Sequence, residues 1–431
     1  MKKEWIKRGI ICVLVVIASW FVGALLESLV YCIPTDIIRK NISRGVNIYS
    51  TETDFYMYSE DYLTTMNDND SDSVILCETA YSTGHPLYDA MRSAYPGGNA
   101  SRVNNIIAWS NFHDDDFSIT DYSRYWHGYV TVFKPLFCLF TFADMRVLKY
   151  IVEMAIYGFL GLQIICNKNL GKEYSVAYLS LLVLLNPIII SLAFQYMPCT
   201  YIALLTSIVI LRYSVKVWDE SLIYIMLGSG ILTSFFDFLT FPVITLGIPL
   251  TLTLIYEGTV SRKIKHMIAA SVSWAFGYLG MWSGKWILSS VVTGNNIITE
   301  AFKYVKHRTG NTEPDTTRFG ALLAVTRVVI KRPYVLFFFI VAVYLFIKYI
   351  LPLIKKKKIV AMLKLLIPFA VLAMYSVVWI LLTFQHCYEN QKFTYRNYGI
   401  MIFALIVGIV YSGNYVMVTE NNSDIKEIGN E

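Results

Sequence analysis

The stretch Asp121-Tyr-Ser-Arg-Tyr-Trp-His-Gly-Tyr129 closes a long polar segment, residues 34–145, that is rich in aspartate, tyrosine and asparagine. An apolar run precedes this segment, and nearly everything after it is apolar. A simple channel or membrane anchor has no need of so large an insertion at this position. The layout instead favours an enzyme with a membrane-borne substrate, because such an enzyme must build its site in water over the end of its helices.

Hydrophobic residues make up 55% of the 431 residues, a share above that of ordinary soluble domains. Apolar runs of about 20 residues, the length that crosses a bilayer core, recur along the chain. The sequence predicts an all-α integral membrane protein, a bundle of about ten transmembrane helices with a large extracytoplasmic loop that carries interfacial helices. The predicted spans are residues 10–33, 146–166, 174–195, 197–213, 221–239, 241–257, 267–291, 334–354, 359–383 and 397–418.

These spans divide the chain into six parts. They are the first transmembrane helix (1–33), an extracytoplasmic segment with an interfacial helix (34–145), a transmembrane bundle (146–292), a second extracytoplasmic loop (293–333), the C-terminal transmembrane helices (334–418) and a cytoplasmic tail (419–431).

Lysine and arginine in short loops mark the cytoplasmic side of a membrane protein. Under the ten-span count the basic loops fall on one side, from Lys2 to Arg8 at the start to Lys355 to Lys358 near the end. We therefore expect a multi-pass protein of the plasma membrane with both termini in the cytoplasm. The net charge of +6 is mostly this topological signal. Because the basic residues are distributed loop by loop, the expected partner is the lipid bilayer and no nucleic acid is expected.

Four ionisable residues lie in the outer parts of predicted spans, namely Glu27, Glu153, Asp237 and Lys285. Charges inside spans are costly and usually face a cavity or a partner. Their shared position predicts a polar cavity that opens to the outer side. The alternative is that each charge sits near an interface and is simply hydrated.

The segment from Asp121 to Pro135 has the pattern of an amphipathic helix at the membrane interface, and the helix itself is predicted over about Asp121 to Phe133. On such a helix one face is basic and polar, and it carries Arg124, His127, Thr131 and Lys134. The opposite face is apolar and aromatic, and it carries Trp126, Tyr129, Val130 and Phe133. Arginine, histidine and lysine on one stripe predict a cradle for a phosphate or diphosphate. A helix held to anionic headgroups, or a poorly formed eleventh span, remains the alternative.

Carboxylates beside this segment are candidates for acid–base chemistry. Asp114, Asp115 and Asp116 follow His113, and clustered carboxylates can hold a divalent cation or supply a general base. A solvated acidic loop is the other interpretation. Asp36 follows the first span directly, after Pro34. The seven cysteines include no C-x-x-C pair, so no metal site built on cysteine and histidine is expected.

The layout resembles the GT-C superfamily of integral membrane glycosyltransferases, which use polyprenyl-phosphate-linked sugars. The strings Tyr-Trp-His-Gly (125–128), Phe-Asp-Phe-Leu-Thr-Phe-Pro (236–242) and Phe-Thr-Tyr-Arg (393–396) also look like those of uncharacterised bacterial multi-span proteins similar to that superfamily. The resemblance implies transfer of a sugar from a lipid phosphate to a glycan, a lipid-linked acceptor or a protein on the outer side. No cofactor is implied with certainty, although a divalent cation is a candidate.

The resemblance also implies roles for residues. The implied base is a carboxylate just after the first span, where Asp36 is the candidate and Glu27 is less well placed. Asp237 ranks second to Asp36 on depth alone, and the 114–116 cluster follows. The implied substrate-binding residues are Arg124, Trp126, His127, Lys134, His386, Tyr395 and Arg396. No tight Asp-Asp or Glu-Asp pair follows the first span.

Two other classes of protein remain open. A transporter or flippase of a lipid-linked or amphipathic solute would explain a cavity with charges. Such a protein should carry ionisable or helix-breaking residues near mid-membrane. Pro187 and Pro249 are the best examples, and neither has a charged neighbour in the sequence. A non-catalytic assembly subunit is the third class.

Overall fold

The computed structural model describes residues 2–98, 100–113, 117–167, 170–256, 258–310 and 315–428, with side chains from Ile6 to Val418 within those ranges. The described chain is mostly helical (78%) with little sheet. Six of its helical segments are long and apolar enough to cross a membrane: Ile6–Tyr31, Phe142–Cys166, Phe194–Tyr213, Arg332–Lys355, Ile359–Leu382 and Gln391–Val418. By length and composition the protein is therefore a multi-pass helical membrane protein.

The first part of the chain is one long helix followed by short helices and strands. Its elements are α1 (Lys2–Tyr31), α2 (Thr35–Val46), α3 (Ile48–Glu52), β1 (Phe55–Met57), β2 (Met66–Asp68), α4 (Asn69–Thr79), α5 (Pro86–Arg92), β3 (Tyr95–Gly97), α6 (Arg102–Ser110), β4 (Ser118–Thr120) and α7 (Val130–Leu139). The strands form two antiparallel pairs, with Phe55 opposite Asp68 in one pair and Tyr95 opposite Thr120 in the other.

After α7, the described residues form helices joined by short turns. These helices are α8 (Phe142–Cys166), α9 (Ser175–Leu185), α10 (Pro187–Leu192), α11 (Met197–Tyr213), α12 (Ser221–Phe236), α13 (Ile244–Thr253), α14 (Val260–Thr293), α15 (Ile297–Arg308), α16 (Arg318–Val329), α17 (Arg332–Leu345), α18 (Leu351–Lys355), α19 (Ile359–Leu382), α20 (Phe384–Glu389), α21 (Gln391–Thr394) and α22 (Tyr398–Ile428). A π-helical turn, Phe346–Ile350, joins α17 to α18.

Every predicted span overlaps helix, but several of these helices are shorter than a bilayer. The segment predicted as one span at 174–195 is broken at Asn186, which adopts a left-handed conformation with φ of 55° between α9 and α10. Pro187 then starts α10, a position at which its missing N–H group costs nothing. Helix α13 has only 10 residues. The number of helices that cross the membrane therefore stays a prediction.

Residues 32–129 fold over one end of the helix bundle, and we call them the cap. The Thr64 backbone carbonyl accepts from Asn186 Nδ2 at 2.9 Å, and the Thr64 hydroxyl accepts from the Tyr334 hydroxyl at 2.8 Å. The Asp72 carboxylate accepts from the backbone N–H groups of Phe194 and Gln195 at 2.7 and 3.0 Å. The cap therefore holds together helix ends that are far apart in sequence.

The long helix α14 begins and ends at sequence signals. The Thr259 side chain accepts from the Arg262 N–H group as an N-cap, and Gly294 ends the helix with φ of 74°. Helix α14 packs closely on α12, because an added Cβ at Gly230 would lie 2.2 Å from the Trp274 carbonyl oxygen. Small residues let helices in lipid approach closely enough for good van der Waals packing. This contact fixes the helix that carries most of the aromatic side chains described below.

The predicted helix over Asp121 to Phe133 is wrong in its first two thirds. Residues 121–129 are irregular, and α7 begins only at Val130. The Gly128 N–H group donates to the Phe235 carbonyl at 2.9 Å, and an added Cβ at Gly128 would lie 2.4 Å from a Phe235 ring carbon. Tertiary contacts with α12 therefore override the helical pattern, and the basic stripe does not form.

Candidate functional site

A buried cluster of charged and polar side chains lies where the cap meets the bundle. The backbone N–H group of His127 donates to the Glu27 carboxylate at 3.1 Å, and this carboxylate lies 3.5 Å from Lys285 Nζ. The His127 ring contacts Glu78 at 2.5 Å, and the Tyr129 hydroxyl also donates to Glu78. All five side chains are buried. Because these contacts join the cap to α1 and α14, the cluster pins residues 121–129 in place.

Lys134, which was predicted to bind phosphate, instead hydrogen-bonds to backbone carbonyls of the cap. Its ammonium group donates to the carbonyls of Thr79 and Tyr81, at 2.8 and 3.2 Å, beyond the end of α4. It also lies 4.3 Å from the centroid of the Tyr31 ring. A cation at the C-terminal end of a helix is a stabilising contact. Lys134 and His127 are therefore structural in this conformation, and neither shares a cavity with Arg124.

One face of α14 carries a ladder of four aromatic rings. Trp274, Tyr278, Trp282 and Trp286 follow one another at a spacing of four residues, which places them on one side of a helix. Successive ring centroids are 5.1, 5.9 and 5.2 Å apart. From the cap, Tyr125 stacks on Trp282 with centroids 5.4 Å apart. The ladder makes a continuous apolar and aromatic wall that runs towards the cap.

This wall borders a cavity of about 350 Å³ between α14, α15 and α19. Its surface is almost entirely apolar, but two arginines reach into it from different elements. The lining residues are Arg124, Tyr125, Leu239, Trp274, Ala275, Tyr278, Leu279, Trp282, Ala301, Tyr304, Val305, Arg308, Thr309, Trp379, Leu382 and Thr383. We call it the aromatic cavity.

Arg124 is held in the aromatic cavity by its backbone and by its neighbours. Its carbonyl accepts from the indole N–H groups of Trp282 and Trp286, at 2.7 and 2.8 Å. Its guanidinium lies 3.7 Å from the Tyr304 ring centroid and pairs with Glu300 at 3.2 Å. The Nε–H group of Arg124 is buried and has no acceptor among the described residues. One donor of this guanidinium is therefore unsatisfied.

Arg308, eight residues further along α15 than Glu300, repeats the arrangement. Its guanidinium pairs with Glu389, which also contacts His307 at 2.8 Å. Its Nε–H group is likewise buried without an acceptor in the described part of the chain. Arg308 and Arg124 both lie within electrostatic reach of the buried Tyr125 hydroxyl. The aromatic cavity thus presents two guanidinium groups, each balanced by one partly exposed carboxylate.

Of the predicted bases, neither Asp36 nor Asp237 lines this cavity. Asp36 is exposed in the first turn of α2. Asp237 is buried and accepts from the N–H groups of Leu239 and Thr240, both at 3.0 Å, so its carboxylate stabilises the turn between α12 and α13. Asp114, Asp115 and Asp116 lie outside the described residues. Leu239, with φ of 75°, is the residue of this turn that reaches the cavity.

The remaining predicted binding residues are buried away from the aromatic cavity. The Trp126 indole N–H group donates to the Met281 carbonyl at 2.6 Å. Arg396 donates through Nε to the Leu185 carbonyl at 2.9 Å, and its guanidinium lies over the Tyr395 ring at 4.8 Å. His386 contacts Asn390 at 3.3 Å. The Trp126 contact joins the cap to the middle of α14, and the Arg396 contact stabilises the end of α9.

The sequence interpretation missed the residues that form the aromatic cavity, apart from Arg124. The four-residue spacing from Trp274 to Trp286 was a readable signal, since aromatic residues at i and i+4 share a helix face. Glu300, Tyr304 and Arg308 repeat the same spacing on α15. No sequence signal indicated that the two helix faces meet. In the described part of the chain, no group of three histidine, cysteine, aspartate or glutamate side chains could hold a metal ion.

No protein-family model, curated protein or solved structure matches this chain. The site must therefore be interpreted from its own geometry.

Burial predicts a pH dependence of stability through His386. Desolvation lowers the pKa of His386 to about 3, and the nearby charges of Arg308 and Lys392 act in the same direction. The unfolded chain takes up this proton below about pH 6.5, whereas the folded chain does not. Stability is therefore complete above about pH 6.5 and falls with acidification, by about 1.4 kcal/mol per pH unit.

The measurement is the unfolding free energy in detergent between about pH 7.5 and about pH 5.5. The variant His386→Gln should show a flatter dependence than the wild type. Identical slopes in the two proteins would contradict the assignment to His386.

Proposed function

We propose that this protein is a membrane glycosyltransferase that binds a polyprenyl-phosphate-linked sugar in the aromatic cavity. The observation that carries the proposal is the pair of buried, unsatisfied arginine Nε–H groups in a cavity with an apolar wall. An isoprenoid chain needs an apolar surface, and a phosphate needs charged donors at its end. Arginine suits phosphate because its planar fork donates two parallel hydrogen bonds.

The ion pairs of the cavity support a step in which phosphate replaces carboxylate. When a lipid phosphate binds Arg124, it competes with Glu300, whose side chain is 39% exposed and can turn away at little cost. The released Glu300 carboxylate would then lie beside the phosphate-linked carbon. We assign to Glu300 the role of general base that the resemblance placed on Asp36.

The proposed reaction balances without a cofactor. The acceptor hydroxyl loses its proton to the Glu300 carboxylate, and its oxygen forms a bond to the anomeric carbon of the sugar. The bond between that carbon and the phosphate oxygen breaks, and polyprenyl phosphate leaves with the electron pair. Arg124 and Arg308 would stabilise the charge that develops on this phosphate.

Lipid binding tests the proposal. The variants Arg124→Ala and Arg308→Ala should each bind polyprenyl phosphate about 10-fold or more weakly, since a hydrogen bond to a charged group contributes about 1.5–3 kcal/mol. Arg327→Ala is the matched control, because this arginine is exposed on α16 and does not line the cavity. Equal loss of binding in all three variants, or in none, would contradict the proposal.

The topology belongs to the same proposal. The cap would lie on the extracytoplasmic face of the plasma membrane, with both termini in the cytoplasm and ten helical passes between them. The basic loops support this orientation. The acceptor would be a glycan or a lipid-linked molecule of the cell surface.

A transporter or flippase is the second candidate, and the break between α9 and α10 favours it. Arg396 donates to the Leu185 carbonyl at this break. The fold therefore brings a charged side chain close to Pro187, which has no charged neighbour in the sequence. Glu153 lies near the middle of α8, fully buried, and its carboxylate has no hydrogen-bond partner among the described residues. Charged residues buried inside a bundle often mark a substrate or ion pathway.

Assays of lipid movement and of sugar transfer distinguish the flippase from the glycosyltransferase. A flippase would move a polyprenyl-phosphate lipid between leaflets of a vesicle, would lose this movement in Glu153→Gln, and would transfer no sugar.

A further inference from the structure

The cap contains a second cavity, which differs in chemistry from the aromatic cavity. It measures about 230 Å³ and lies between α4, α6 and the antiparallel pair β3–β4. Its wall is mostly polar. The lining residues are Ser73, Val74, Cys77, Tyr95, Pro96, Gly97, Gly98, Ala100, Arg102, Asn105, Ser118 and Thr120. We call it the cap pocket.

Hydroxyl, amide and backbone groups line the cap pocket. The Ser118 hydroxyl donates to the Gly97 carbonyl at 3.1 Å. The Asn105 amide reaches the carbonyls of Gly98 and Ala100 at 3.4 Å each, which are long contacts that a better acceptor could replace. The one aromatic ring of the lining belongs to Tyr95, which is half-buried.

The charge of the cap pocket is balanced. Arg102 is its one charged lining residue, and its guanidinium pairs with Asp70 at 2.8 Å. A free anion would have to compete with this carboxylate. The pocket therefore favours a neutral ligand.

Two glycines keep the pocket open. An added Cβ at Gly98 would lie 2.6 Å from Asn105 Oδ1, and one at Gly97 would lie 2.9 Å from Thr120 Oγ1. A side chain at either position would occupy the space between the β3–β4 pair and α6. Because these residues carry no side chain, their backbone polar groups lie at the pocket wall.

We propose that the cap pocket binds one neutral monosaccharide unit of a glycan. The class of ligand follows from the chemistry of the wall: many hydroxyl and carbonyl partners, no unbalanced charge and one aromatic face. The volume is below the roughly 300–1,000 Å³ of pockets for drug-sized ligands, which suits a single sugar ring. This inference rests on the proposed function in one respect, because it gives the acceptor glycan a place in water over the bundle.

The experiment measures saccharide binding alone, without any transfer step. Full-length protein in detergent is titrated with methyl glycosides of neutral hexoses and of N-acetylhexosamines, and with methyl phosphate, by saturation-transfer NMR. We expect at least one neutral glycoside to bind and methyl phosphate not to bind. Thr120→Val removes one hydroxyl without changing the shape, and should weaken binding about 3- to 10-fold.

Two further variants complete the test. Gly98→Ala should abolish binding by filling the pocket, whereas Ser43→Ala, at a half-buried position on α2 that does not line the pocket, should leave it unchanged. Melting temperatures verify that each variant is folded. If Gly98→Ala is unfolded, the decision rests on Thr120→Val. Failure of every neutral glycoside to bind, or binding of methyl phosphate that Arg102→Ala removes, would overturn the inference.

The outcome is separable from that of the proposed function. A protein that binds a neutral glycoside here but does not bind polyprenyl phosphate keeps this inference and loses the proposed function. The reverse result keeps the proposed function and removes the cap pocket from it.

Discussion

Lys285→Met is expected to lower the free energy of unfolding by about 3–5 kcal/mol, the cost of leaving one partner of a buried ion pair without the other. Lys285 is fully buried and lies 3.5 Å from Glu27. It also donates to the Ala90 carbonyl and the Ser93 hydroxyl at 2.6 and 2.9 Å, so the variant leaves several polar groups of the cap unsatisfied. The measurement is reversible unfolding in mixed detergent.

A double variant separates this charge effect from lost packing. Glu27→Gln with Lys285→Met removes both charges and should recover part of the loss, because a buried neutral pair has a smaller desolvation cost than one isolated charge. Lys364→Met is the matched control, since Lys364 is exposed on α19. A single variant as stable as this control would show that Lys285 does not hold the cap. The loss of Lys285 also bears on the aromatic cavity, because the buried cluster of Glu27, Lys285 and His127 holds the segment that carries Arg124.

Glu300→Gln should reduce sugar transfer from a polyprenyl-linked donor by about 10²–10⁴-fold, the usual contribution of a positioned general base. Binding of polyprenyl phosphate should remain, because glutamine preserves the size of the side chain and, being neutral, competes less than glutamate with the phosphate for Arg124. Loss of rate without loss of binding is the signature of a base, whereas a merely structural role would lower both. The measurement is transfer by purified protein, with lipid binding determined in parallel.

Asp36→Asn is the control for this experiment, since Asp36 is exposed on α2 and lines none of the cavities described above. We expect it to transfer sugar at the wild-type rate. Loss of activity in Asp36→Asn together with full activity in Glu300→Gln would return the base to the position that the resemblance implies. It would also require the cap to rearrange around the substrate.

The helical membrane class could be predicted from sequence because it depends on composition and on the length of apolar runs, which are local properties. Element boundaries were less accessible. The sequence placed Glu153 in the outer third of its span, but α8 begins at Phe142, so Glu153 lies near mid-helix. The capping box of Thr141 and Asp144 fixes that start.

The site was harder to predict, because it depends on contacts between distant segments. The pattern around Arg124 fits a helix by periodicity, but close packing of Gly128 on Phe235 excludes one. Arg124 was among the candidates named from sequence and lines the aromatic cavity, and its partners Tyr304 and Glu300 lie about 180 residues away in sequence. Periodicity within one helix cannot show which other helix face it meets. The aromatic ladder of α14 could have been read, but its role depends on α15.

The central claim is that a lipid phosphate binds in the aromatic cavity, and a cryo-EM map of the protein in nanodiscs with added polyprenyl phosphate tests it most directly. We predict density for the phosphate between Arg124 and Arg308, with the isoprenoid chain along Trp274, Tyr278 and Leu279. The Glu300 side chain should have moved away from Arg124. A map with the lipid at another place on the protein, or with an empty aromatic cavity at saturating lipid, would contradict the account.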